Sequence, residues 1–192
     1  MTSTRDTVIR SLHDLGAAAW FGGSLMGAIG VNGAANGLND PTERAALAAN
    51  GWARWAPVSA VAIAAHLIGG AGLVVTQRDR VRQQAGVTAN TVVKTGLTGL
   101  ALASTAYSGV LGARIAAADK TPSAGGTKPT PATSEEVSTA QQQLRALQWV
   151  TPALTGALIA LGSQQGEQQR PAERIRGRAR KLVQTSRGSV NA

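Results

Sequence analysis

The stretch LGAAAWFGGSLMGAIGVNGAANGLN, residues 15–39, decides the fold that the sequence predicts. It contains no Asp, Glu, Lys or Arg, and a helix of about 20 apolar residues suffices to cross the hydrocarbon core of a bilayer. Glycine costs a water-soluble helix about 1 kcal/mol per site relative to alanine, whereas in a membrane helix it lets another backbone approach closely. We therefore predict a membrane helix with one small-residue packing face. That face contains Gly16, Gly23, Gly27, Gly30, Ala34 and Gly37.

Three further windows without charged residues follow, at 55–77, 95–113 and 146–166. We predict an all-α, polytopic membrane protein, a bundle of four transmembrane helices. The predicted helices lie at about 12–37, 52–77, 90–114 and 144–164. Residues 1–166 then form the transmembrane domain, with a flexible outer loop at 119–133 that is rich in Pro, Gly and Thr. Because the mean hydropathy is only −0.02, a soluble helical bundle stays open as an alternative.

The net charge of +9 lies in the segments between these windows. We therefore interpret it as a topology signal and expect no nucleic-acid partner. The positive-inside rule places the leader, the basic turn at 78–82 and the tail at 167–192 in the cytoplasm, together with both termini. The aromatic residues Trp52, Trp55, Tyr107 and Trp149 then fall near the outer interface. The expected location is the plasma (inner) membrane, crossed by several passes.

The sequence contains no set of residues that indicates catalytic chemistry. The chain has no cysteine, and the apolar windows contain no carboxylate for acid–base work. Gly22-Gly23 and Gly69-Gly70 lack the strand and the lysine of a phosphate loop. We predict a protein that is not an enzyme, with no catalytic residue, no metal site and no cofactor.

The two histidines are the candidate functional residues. His13 stands at the start of the first predicted helix, whereas His66 lies roughly 16 Å from the cytoplasmic end of the second helix, at 1.5 Å per residue. These unequal depths predict that the two imidazoles do not share a haem or a metal ion. His66 is then either a group that hydrogen-bonds inside the bundle or a functional ligand within the membrane.

A short motif runs through the first histidine. The string H-x-x-G-x-x-x-W-x-G-G, from His13 to Gly23, resembles the first helix of copper-resistance D-type bacterial membrane proteins and related four-helix families. His66, Gly69 and Gly70 form a similar pattern in the second helix. The resemblance covers about 25 residues, and it implies a helical membrane protein that is associated with copper handling or has no known activity.

Two surfaces remain for partners. The third helix has a second small-residue face, and the tail has basic residues that we expect to contact anionic lipid or an acidic partner, the alternative being a solvated tail. We predict an accessory or assembly subunit, bound to membrane lipids and to other membrane subunits or a second copy. The alternative is a metal-binding, haem-binding or solute-handling protein that uses His66. The face consists of Gly96, Gly99, Ala103 and Ala106, and the tail residues are Arg174, Arg176, Arg178, Arg180 and Lys181.

Overall fold

The structure, a computed structural model, describes residues 4–76, 78, 85–118 and 120–168. Residues 1–158 form one compact unit; of the second, 159–192, the described part is the end of the last helix. The helices are α1 (Thr4–Met26), which continues through a π-helical segment (Gly27–Val31) into α2 (Asn32–Asn36), then α3 (Arg44–Thr76), α4 (Ala85–Ala117) and α5 (Glu135–Gln168). A short antiparallel hairpin of β1 (Ser123–Gly125) and β2 (Lys128–Pro129) connects α4 to α5.

The all-helical prediction is confirmed. Three helices are long and apolar enough to cross a membrane, at Arg44–Thr76, Thr88–Ala117 and Glu135–Gln164. They correspond to the second, third and fourth predicted helices, and they are consistent with a membrane protein.

The long helices extend past the charge-free windows. In particular, α3 runs through the Asn50-Gly51 pair without a break. Gly51 is required there for packing, because a Cβ atom would lie 2.7 Å from Cγ1 of Val31. Ahead of α3, the backbone N–H and hydroxyl of Thr42 donate hydrogen bonds to Asp40 Oδ1 at 2.8 and 2.7 Å. These bonds lower the pKa of the Asp40 carboxyl.

Helices α1 and α3 pack as an antiparallel pair. We call the end where residues 37–43 connect them the closed end, and the end with Thr4 and Thr76 the open end. A Cβ atom on Gly16 would lie 2.5 Å from both Ala62 O and His66 N, so the two backbones touch there. The partner of the predicted glycine face is therefore another helix of the same chain.

Nearer the closed end, tryptophan rings of α3 fill the glycine positions of α1. A Cβ atom on Gly23 would collide with the ring of Trp55, and one on Gly27 with the ring of Trp52. The rings of Trp52 and Trp55 therefore pack against the first helix, and this contact does not depend on their depth in the bilayer.

The predicted glycine face does not continue beyond Gly27. A π-helical turn holds one more residue than an α-helical turn, so the residues after it are rotated by about 100°. As a result Ala28, Asn32 and Ala35 are buried. The predicted face residues Gly30, Ala34 and Gly37 are exposed.

The exterior of the long helices is apolar, whereas several interior positions are polar. Val61 of α3, for example, is 71% exposed, and Val92 of α4 is 65% exposed. This distribution suits lipid outside and hydrogen bonds between helices inside. The buried polar residues of the helices are Ser24, Asn32, Ser59, His66, Ser104, Gln141, Thr151 and Thr155.

The predicted outer loop contains the β-hairpin, which packs onto the closed end. The buried Gln141 side chain of α5 lies within 3.1 Å of Ser123 Oγ and of Gly125 O, with its Nε2 as the donor. The backbone N–H of Ser123 donates to Pro41 O at 2.9 Å. Beside this hairpin lies an apolar cluster of Ala45, Leu111, Ile115, Val137 and Ala140.

Two matched glycine variants of α1 test the backbone contact. Gly16→Ala should lower the free energy of unfolding by roughly 1–3 kcal/mol, because the added methyl group meets α3 backbone atoms that cannot rotate away. Gly22→Ala should not lower it and should raise it by up to about 1 kcal/mol, because nothing lies within 4 Å of a Cβ atom there and alanine favours a helix. Denaturant titration in detergent measures both, and equal losses would contradict the contact.

Candidate functional site: a stacked histidine pair

The rings of His13 and His66 stack across the interface between α1 and α3. Their centroids are 4.1 Å apart, and their planes differ by 19°. Nδ1 of His13 lies 3.0 Å from the backbone carbonyl oxygen of His66, and Nδ1 of His66 lies 3.1 Å from that of His13. A carbonyl only accepts, so each Nδ1 is the protonated donor. The pair is therefore held by two reciprocal hydrogen bonds and one ring contact.

Reciprocal H-x-x-G motifs produce this geometry. His13 is followed by Gly16 after three residues, and His66 is followed by Gly69 in the same way. In the antiparallel pair, Gly16 lies against the backbone of His66, while a Cβ atom on Gly69 would collide with the backbone of His13. Each glycine thus removes the atom that would keep the opposite histidine's helix away.

The depth prediction for the two histidines is wrong, because the structure places them side by side. That prediction places the start of the first helix at about residue 12, next to His13. In fact α1 begins at Thr4, so that His13 lies nine residues inside α1 and His66 ten residues from the end of α3. At 1.5 Å per residue the two positions are nearly level. The repeated H-x-x-G spacing was the sequence signal for this contact.

A tryptophan connects the pair to a third helix. Trp20 is 1% exposed, and its ring meets the His66 ring edge-on at a centroid distance of 6.2 Å. Its Nε1 donates a hydrogen bond to Thr105 Oγ1 of α4 at 3.1 Å. Because Trp20 is the tryptophan of the first-helix motif, the motif residues His13, Gly16 and Trp20 converge on one packing site.

The stacked geometry does not suit a shared metal ion or haem. Metal–nitrogen bonds of about 2.0 Å would separate two imidazole centroids by about 5–6 Å. The observed separation is 4.1 Å, and both Nδ1 atoms already point at carbonyl oxygens. Among the described residues, no group of three or more His, Asp or Glu side chains is placed to hold a metal ion.

Further hydrogen bonds tie the helices together towards the closed end. Asn32 of α2 donates to Gln148 Oε1 of α5 at 2.8 Å and accepts from Trp52 Nε1 of α3 at 3.1 Å. Ser104 of α4 and Thr151 of α5 share a hydrogen bond of 2.8 Å. These groups belong to the interfaces between the helices.

Of the two predicted partner surfaces, one lies within the residues that the structure describes and the other does not. The small-residue face of the third helix lies on α4, where Gly96, Gly99, Ala103 and Ala106 are all exposed. The basic tail residues Arg174, Arg176, Arg178, Arg180 and Lys181 lie outside the described residues.

Comparison with known proteins finds no counterpart. The chain matches no protein-family model, no curated protein and no solved structure. A function for it therefore depends on the contacts given above.

A double-mutant cycle separates the ring contact from the two hydrogen bonds. Each Nδ1 bonds a backbone carbonyl, so His13→Ala leaves the bond of His66 in place, and the converse holds as well. The coupling free energy between His13→Ala and His66→Ala should therefore report stacking alone, about 0.5–1.5 kcal/mol. Unfolding measurements on the four proteins give this value, and additive single effects would contradict the stack.

Proposed function

We propose that the protein is a non-enzymatic integral membrane accessory or assembly subunit, which packs a small-residue face of α4 against another membrane helix. The observation that supports this most is the open space above the α4 glycines. A Cβ atom at Gly96, Gly99, Gly109 or Gly112 would meet nothing within 4 Å. Packing inside the described chain therefore gives no reason for glycine at these positions.

Four glycines of the first and second long helices differ from the α4 glycines in what surrounds them. Gly16, Gly23, Gly27 and Gly69 each sit where a methyl group would collide with a facing helix. Those four glycines are thus accounted for by the fold, whereas Gly22 of α1 has no neighbour within 4 Å of a Cβ atom. On α4 the same residue type occurs at four positions where the described part of the chain places no neighbour within 4 Å of a Cβ atom. Small residues that admit a close backbone are the usual contact surface between membrane helices.

The α4 face also has the right shape for a helix. Gly96, Gly99, Ala103 and Ala106 recur at helical spacing, on the side opposite the buried residues Ala101 and Ser104. Larger side chains border this strip, since Leu100 is 60% exposed and Tyr107 is 45% exposed. The strip is an exposed surface of small residues, with these two larger side chains along one side. The partner we propose is a transmembrane helix, from a larger complex or from a second copy of this chain.

We further propose that the protein crosses the plasma (inner) membrane four times, with both termini in the cytoplasm. The charge distribution supports this through the positive-inside rule. The packing of α1 along α3 supports a first crossing, because a helix that touches α3 from Gly16 to Gly27 lies at the same depths as a candidate span. The basic tail would then meet the anionic inner leaflet.

A second candidate function, a metal, haem or solute site at His66, draws on the resemblance to copper-resistance proteins. Its support is the burial of an ionisable side chain, 2% exposed, between two apolar helices. The ring stacking disfavours it, because the two histidines would have to part before they could share a ligand.

Two matched Ala→Leu variants test the subunit proposal. Ala103→Leu adds bulk to the small-residue face of α4, whereas Ala64→Leu adds the same bulk to α3 beside the exposed Val61 and Ile68. After chemical cross-linking in native membranes and purification in mild detergent, Ala103→Leu should reduce the recovered stoichiometric assembly at least about tenfold, or about 1.4 kcal/mol. Ala64→Leu should leave the recovery unchanged.

Equal recovery from both variants would contradict the proposed face. Gly23→Leu and Gly27→Leu do not serve this purpose, since their side chains would displace Trp55 and Trp52 inside the fold.

A further inference from the structure

We propose that the His13–His66 pair is a protonation-operated latch, which holds the open ends of α1 and α3 together while both rings are neutral and releases them when both rings are charged. The latch is independent of the partner surface on α4. Its basis is the geometry of the pair and the charges that surround it.

The stacked pair has room for one charge at most. Each neutral ring already uses its Nδ1 proton for a carbonyl, so a further proton must bind Nε2. Two protonated rings would place positive charges about 4 Å apart, in an interface where His66 is 2% exposed and His13 is half-buried, so that water screens them only weakly. Stacking and double protonation are therefore incompatible.

The surrounding charges reinforce this incompatibility. Arg10 and Asp14 of α1 and Lys94 of α4 act electrostatically on His13, and Lys94 and Asp14 act on His66. Arg10 and Lys94 oppose a proton on the pair, while the carboxylate of Asp14 favours one. Asp14 is exposed, so that solvent weakens its effect relative to the half-buried Lys94.

The fold confines the resulting movement to one end of the helix pair. Between the latch and the open end, the contact of Ile9 with Gly72 is apolar. Towards the closed end, the Trp55 and Trp52 rings fill the glycine positions of α1, and residues 37–43 connect the helices covalently. The tryptophan contacts contain no titratable side chain. The connection contains Asp40 and Glu43, but it joins the two helices covalently whatever the charge on these carboxyls. Acidification should therefore separate the open ends and leave the closed end in place.

Paired spin labels measure this separation directly, and the natural chain contains no cysteine to interfere. One full-length protein has labels at Val8→Cys and Val75→Cys, two exposed positions near the open end. A control has labels at Met26→Cys and Ala53→Cys, exposed positions nearer the closed end. Both are reconstituted in lipid nanodiscs, and distances are recorded by double electron–electron resonance between about pH 8 and about pH 5.

The open-end pair should show one short distance at about pH 8 and a second, longer distance at about pH 5. The population of the longer distance should rise at least about tenfold, because opening takes up protons and is therefore coupled to pH. The closed-end pair should keep one distance throughout.

Variants in which the histidines are replaced by a residue that cannot be protonated complete the test. Asparagine supplies an N–H donor near the position of Nδ1 but does not ionise in this range. The double variant His13→Asn with His66→Asn should stay closed at about pH 5. The single variant His13→Asn changes only the half-buried ring, and it should also reduce the rise of the longer open-end distance on acidification. An unchanged open-end distance in the natural pair, or an equal response in the asparagine variants, would overturn the latch.

Discussion

The structure depends on one constraint, the contact of two helix backbones at Gly16 and Gly69. At these positions the backbone of the facing helix occupies the place that a Cβ atom would need. A side chain can rotate out of the way of a new methyl group, but a helical backbone cannot, so this contact fixes the register of α1 against α3. The two H-x-x-G motifs then place each histidine beside the other's glycine.

The other features follow from that register. Trp20 lies against His66 and donates a hydrogen bond to Thr105 of α4. The tryptophans of α3 fill the later glycine positions of the first helix. The π-helical turn then rotates Asn32 into the interior, where it bonds both Trp52 and Gln148. The glycines of α4 stand outside this network. That separation between glycines used inside the fold and glycines left open is the basis of the proposed subunit function.

Charge-free windows located the helices, because burial in lipid excludes charge over a fixed length. They could not locate helix ends, since α1 and α3 continue into polar sequence at Thr4 and Arg44. A uniform turn of 100° per residue identified Gly16, Gly23 and Gly27 as one face but extended that face through Gly37, because sequence periodicity does not reveal a π-helical turn. The histidine pair was missed for a related reason: depth was counted from a charge boundary, whereas backbone contact between glycines sets the register.

Cysteine cross-linking of the register tests the central claim most directly. In the cysteine-free chain, each of two double variants places one cysteine at an α3 glycine and the other at the residue that a Cβ atom there would touch. The first is Ile9→Cys with Gly72→Cys, and the second is Val31→Cys, in the π-helical segment, with Gly51→Cys. Both pairs should form disulfides rapidly in the membrane, whereas Ile9→Cys with Ile68→Cys should not, because Ile68 faces away and is 66% exposed. Rapid cross-linking of the Ile9–Ile68 pair, with slow reaction of the other two, would contradict the register on which the account depends.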